Sequence, residues 1–132
     1  MLKILNMKEL IEFTKFLEIS KKLEIRVGKI TNIEDVPKSS KLLKLTVDFG
    51  DEVRTVVTNI KPQLNPSDEN IIKNLKLSLG EDMSLLNKNL LFITNLMPVT
   101  MMGIESTAMI MPGDIDLGKV CITDCEIGTK IL

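Results

Sequence analysis

Two lysines flank two serines in Lys38-Ser39-Ser40-Lys41, and no other stretch of this 132-residue chain is better equipped to hold an anion. Ammonium groups set against a phosphate displace its condensed counterions, and hydroxyls hydrogen-bond phosphate or ribose oxygens. A solvated turn has the same composition, so the stretch alone admits both readings. Arg26, Lys29, Lys44 and Arg54 extend the supply of positive charge. The distribution is lopsided: residues 1–61 hold 12 Lys or Arg against 9 Asp or Glu, and residues 62–132 hold 5 against 9. An anionic partner is therefore expected on the N-terminal half. The net charge of −1 argues against a surface that grips polyanions indiscriminately.

Other chemistry is poorly supplied. Histidine is absent, which removes the commonest general base and metal ligand. Cys121 and Cys125 have no further Cys or His to complete a zinc set of about four ligands. They read as two buried, reduced thiols, an internal bridge being the alternative. Glu34-Asp35 and Asp51-Glu52 are neighbouring carboxylates in turns, Ser39-Ser40 lacks a base, and the glycines lack phosphate-loop spacing. No catalytic residue, metal or cofactor is expected. Met97, Met101, Met102, Met109 and Met111 cluster in sequence. They read either as pliable core filler or as an exposed thioether patch that grips protein, with Met97, Met101 and Met102 as its contacts. Neither a signal peptide nor a membrane span is visible, which predicts a cytosolic protein without membrane contact.

The elements that must position these residues follow from periodicity. Leu10, Phe13 and Leu17 recur at helical spacing, predicting a helix over 7–18 within an N-terminal helical segment 1–20. Its apolar face is expected to cap a barrel end, the alternative being a partner-binding helix. Leu23, Ile25 and Val27 alternate with Glu24 and Arg26, and the phase slips at Gly28, the mark of a bulge or sharp bend. Leu43–Phe49 and Val53–Ile60 form a hairpin around Gly50-Asp51-Glu52. Leu90–Leu96 and about Thr107–Met111, entered through a turn at Gly103, complete five strands. A helical insertion at 62–89, capped by Ser67 or Asp68 and ended by Gly80, separates strands three and four. It is expected to be a surface excursion. The fold class is all-β with small helices, a five-stranded oligonucleotide-binding (OB) barrel in a single domain over 1–132. Phe49 and Phe92 fit inward strand positions, which leaves no aromatic platform for stacking bases.

Several segments also resemble one family. Asn95-Leu96-Met97-Pro98 and Gly103-Ile104-Glu105-Ser106-Thr107-Ala108-Met109 follow the frame N-L-x-P … G-[VI]-x-S-x-[GA]-M of the tRNA-binding domain, appended to some aminoacyl-tRNA synthetases and found as a free-standing protein. Leu23–Ile33 resembles a second signature segment, and Gly128-Thr129-Lys130-Ile131 resembles the closing G-[ST]-[KR]-[IV] of stand-alone members. The likeness spans about residues 13 to 132, with 62–89 unmatched. The departures are specific. Val99, Thr100, Met101 and Met102 stand where the family is basic, and Val36-Pro37-Lys38-Ser39-Ser40-Lys41-Leu42 replaces H-P-x-A-D-x-L. Thr58-Asn59-Ile60 stands at S-G-[IL]. The resemblance implies binding of tRNA or structured RNA through Arg26, Lys29, Lys38, Ser39, Ser40, Lys41, Thr58, Asn59, Asn95 and Ser106. It also implies a homodimer joined by C-terminal strands, with an aminoacyl-tRNA synthetase as a possible partner. A protein-interaction module, either a synthetase accessory domain or a chaperone-like dimer, is the alternative that the methionines raise.

Overall fold

The computed structural model describes residues 8–132. Its elements in chain order are α1 (Phe13–Lys22), β1 (Ile25–Asp35), β2 (Leu43–Asp48), β3 (Val53–Thr58), α2 (Glu69–Leu79), β4 (Asn89–Ile93), β5 (Val99–Met101), β6 (Ile104–Ser106), β7 (Met109–Met111), β8 (Gly113–Asp114) and β9 (Lys119–Val120). Five strands form one antiparallel sheet in the order β3-β2-β1-β4-β7. It curls until its edge strands approach. The Thr107 N–H donates to the Thr55 carbonyl at 3.1 Å, and the Val57 N–H donates to Ser106 Oγ at 2.9 Å. This is an OB-like half-barrel, as the spacing of the five strands predicts.

The strand β1 serves two sides because it changes partner along its length. Residues 25–29 pair with β4, and residues 29–35 pair with β2. The expected bulge lies later than Gly28: the register shifts between Ile30 and Asn32. Gly28 answers a different need. A Cβ there would sit 2.5 Å from Val47 Cγ1 and 2.7 Å from Phe49 Cε1. Both contacts are closer than any real methyl makes, so glycine lets Phe49 fold over the strand. Phe49 and Phe92 are buried and meet edge to face, with centroids 5.4 Å apart.

Residues 62–89 are not a surface excursion. Leu75, Leu79 and Leu85 are buried in the same core as Ile30, Leu45 and Phe92. Each fully buried leucine contributes about 1.5–3 kcal/mol, so the insertion plugs the barrel. Helix α2 keeps its expected ends: Asp68 accepts from the N–H groups of Asn70 and Ile71, and Gly80 terminates it with φ +100°.

Helix α1 begins and ends later than the span 7–18 predicts, and Met7 and the rest of 1–7 lie outside the described residues. It caps nothing. None of its residues is buried; Phe13 is 71% exposed, and Phe16, Leu17 and Ile19 are open to solvent. The terminal segment is also placed unexpectedly. Ile131 N–H donates to the Ile25 carbonyl at 2.8 Å and Gly128 N–H to the Val27 carbonyl at 2.8 Å, so the tail pairs with its own β1. It fills the edge that β2 has left. Cys121 and Cys125 are exposed free thiols on this outer tail rather than buried ones.

The remaining difference is the hairpin β5–β6. Met102 (φ 50°) and Gly103 (φ 78°) form a two-residue turn with both central residues at positive φ, the geometry that suits hairpin twist. Gly103 was expected only as the entry to the last strand, which spans Met109–Met111 instead of beginning at Thr107.

Candidate nucleic-acid interface

The loop between β1 and β2 is held by Ser39. Its N–H donates to the Val36 carbonyl, and its hydroxyl accepts from the N–H groups of Lys41 (3.3 Å) and Leu42 (3.0 Å). Lys38 sits at positive φ (65°). Ser39 thus shapes the loop, while Lys38, Ser40 and Lys41 are exposed on it. Further along, the Lys61 N–H donates to the Lys41 carbonyl at 3.2 Å, and Leu43 pairs with Thr58. The basic loop therefore abuts Thr58-Asn59-Ile60. Neighbouring cations are spoken for: Lys61 contacts Asp35 at 2.9 Å and Lys44 contacts Glu34 at 3.5 Å. Among the described residues, Lys38 and Lys41 are in no ion pair.

Beyond Thr58 the two edges of the curled sheet part and leave a cleft of ≈ 450 Å³. Val57, Thr58, Asn59 and Ile60 form one wall; Ser106, Ala108, Met109, Ile110 and Pro112 form the other; Leu96, Met97, Val99 and Met101 border it. Sequence reasoning named Thr58, Asn59, Ser106, Met97 and Met101 without seeing that they share a cavity. The cleft appears only once β3 and β7 are brought together. Met97 is 87% exposed at its border, Met101 is half-buried, and Met102 is exposed at the hairpin tip.

Four expected contacts lie elsewhere or are committed to the frame. Arg26 is only 5% exposed. Its Nη2 meets Glu52 Oε2 at 2.7 Å, its Nη1 meets Asp51 Oδ1 at 3.1 Å, its Nε meets Glu24 Oε1 at 3.2 Å, and its guanidinium lies 4.9 Å from the Phe49 ring centre. It is a brace, not a ligand for phosphate. Lys29 is half-buried where β1 changes partner, about 20 Å of extended strand from the loop. Asn95 accepts from the Glu24 N–H at 2.8 Å and donates to the Lys22 carbonyl, fastening the chain after β4 to the start of β1. The Ser106 hydroxyl accepts from Val57 N–H and donates to the Ala108 carbonyl at 3.2 Å.

The Arg26 brace sets a pH dependence. Hydrogen bonds from Arg54 (2.8 and 3.1 Å) and Arg26, with their positive charges, lower the Glu52 carboxyl from its ordinary 4.5 to about 2. A depressed carboxylate adds stability that is complete above 4.5 and is lost as pH falls toward 2. The thermal midpoint of the protein is expected to fall across that window, and to fall less in Glu52→Gln. Parallel pH profiles for the two proteins would show that the bridge contributes nothing.

Residues 25–80 match a family model described as "Putative tRNA binding domain". The methionine–tRNA ligase of Methanocaldococcus jannaschii is 36% identical over 114 residues, covering 83% of this chain and 15% of the ligase. The chain belongs to the tRNA-binding domain family. It spans about 15% of the length of that curated relative. A MetRS related protein from Pyrococcus horikoshii superposes with TM-score 0.65 at 28% identity, covering 95% of this chain and all of that one. The chaperone CsaA of Bacillus anthracis str. Ames shares the fold, with TM-score 0.59 at 22% identity, covering 94% of this chain and all of CsaA. Family membership makes sense of the frame residues. Ser106 joins the facing edges of the sheet through Val57, and Asn95 ties the chain after β4 to the residues before β1. Of the four residues Val99–Met102, Val99 and Met101 border the cleft.

Proposed function

We propose that this domain binds tRNA or structured RNA, in the cytosol and without catalysis, through the loop Lys38–Lys41 and the adjoining rim at Thr58 and Asn59. The observation that carries the reading is the pair of exposed lysines, free of ion partners among the described residues, beside an open cleft in a fold of this family. Phosphate contacts supply most of such affinity, and the buried positions of Phe49 and Phe92 leave no aromatic platform on the sheet. Lysine footprinting tests the assignment. With tRNA present, acylation of Lys38 and Lys41 is expected to drop several-fold while Lys73 and Lys76 on α2 label as before. Protection of the α2 lysines instead would move the site.

A second reading has its own support in the apolar surface that stays uncovered. Phe13, Phe16 and Ile19 on α1, with Met97 and Met102 at the rim, are exposed in the single chain. We infer that a protein covers part of this surface, with a second copy of the chain or a synthetase as its partner. A homodimer would place two basic loops on one particle and raise avidity without a new contact. Sedimentation is expected to give a mass twice the chain's 14.8 kDa, reverting to one chain in Phe13→Asp with Phe16→Asp. A wild-type protein that sediments as one chain at every concentration rules the homodimer out.

A further inference from the structure

We propose that the cleft beside the basic loop takes an unpaired nucleobase of the bound RNA, with Lys38 and Lys41 on its flanking phosphates. The proposal rests on the RNA-binding reading above and names the part of the ligand that the site selects. Charge complementarity chooses the occupant. The two ammonium groups without ion partners stand on the loop that is hydrogen-bonded to the residue after Ile60, at the end of one cleft wall. An unpaired nucleotide carries an apolar, polarisable ring beside an anion, which matches an apolar cleft beside cations. An apolar peptide would leave both cations without partners.

Size and chemistry agree. The ≈ 450 Å³ cleft falls within the range of about 300–1,000 Å³ found for small-ligand sites. Its apolar lining includes Met97, Met101 and Met109, and thioether sulfur makes favourable contacts with aromatic rings. Thr58 and Asn59 place a hydroxyl and an amide in the same wall, and neither side chain makes a hydrogen bond among the described residues. These are the groups that can meet a base edge. Thioethers thus take the stacking role for which this chain has no exposed flat side chain outside α1.

The test uses a short RNA hairpin with an unpaired 3′ tail, made intact and with abasic tail nucleotides, against the whole chain. The abasic tail is expected to bind about tenfold more weakly, and Ala108→Leu, which narrows the cleft, to reduce that preference toward unity. Because the abasic comparison is made on wild-type protein, it stands even if Ala108→Leu fails to fold. If intact and abasic tails bind alike and Lys38→Ala with Lys41→Ala still weakens both, RNA binding survives and the base site is overturned. If neither RNA binds, the RNA reading itself falls. Saturable binding of an apolar peptide that Ala108→Leu abolishes, with both tails binding alike, would assign the cleft to protein and overturn the proposal.

Discussion

Replacing Arg26 by alanine is expected to remove about 3 kcal/mol of folding stability and lower the thermal midpoint by roughly 10 °C. The guanidinium joins pieces of chain that are distant in sequence. It reaches Asp51 and Glu52 in the β2–β3 turn, Glu24 before β1, and Thr94 Oγ1 after β4 at 3.3 Å, and it lies against Phe49. Breaking a buried ion pair costs about 3–5 kcal/mol when a charge is left stranded. Here the carboxylates of Asp51 and Glu52 are 74% and 40% exposed and can rehydrate, which places the loss at the lower end. Lost packing on Phe49 adds to it. Arg54, which shares Glu52 and donates to the carbonyls of Thr94 and Thr107, cannot substitute, because its Nη1 is already occupied at 2.6 and 3.0 Å. Chemical denaturation of wild type and Arg26→Ala measures the difference. A loss below about 0.5 kcal/mol would mean that the carboxylates and Phe49 hold the turn without the arginine.

Leu43, Leu45 and Val47 alternate cleanly, and the paired strands they predict are present; Asp68 and Gly80 mark the ends of α2 as their cap chemistry requires. What escaped was whatever depends on contacts across the fold. Arg26 has the composition of a phosphate ligand, and only the approach of the β2–β3 turn converts it into a buried brace. Residues 62–89 were expected to be an unmatched surface excursion, but the family model extends through residue 80, and Leu75 and Leu79 share one core cluster with Phe92 and Ile30. Asn95 and Ser106 were legible as motif positions but not as hinges and clasps, because their partners Glu24 and Val57 are far away in sequence. The slip at Gly28 and the bulge at Ile30–Asn32 are separate events with separate causes, one a close approach of Phe49 and the other an extra residue in the ladder. For the candidate site, an exposed basic loop at Lys38–Lys41 was legible from residue types alone. The cleft was not, since its walls come from strands some 50 residues apart.

The second large effect concerns the loop itself. Lys38 and Lys41 are exposed, lie in no ion pair among the described residues, and are presented by a loop that Ser39 holds through two backbone hydrogen bonds. Removing both ammonium groups leaves that scaffold intact, so folding should be unaffected. Each lysine on a phosphate releases about one counterion, and its loss lowers the salt slope of binding by about one. The decisive measurement is tRNA titrated into wild type and into Lys38→Ala with Lys41→Ala across a series of salt concentrations. The double variant is expected to bind at least about tenfold more weakly at low salt, with a log–log slope shallower by about two. Equal affinities and superimposed slopes for the two proteins would contradict the claim that this loop meets the RNA.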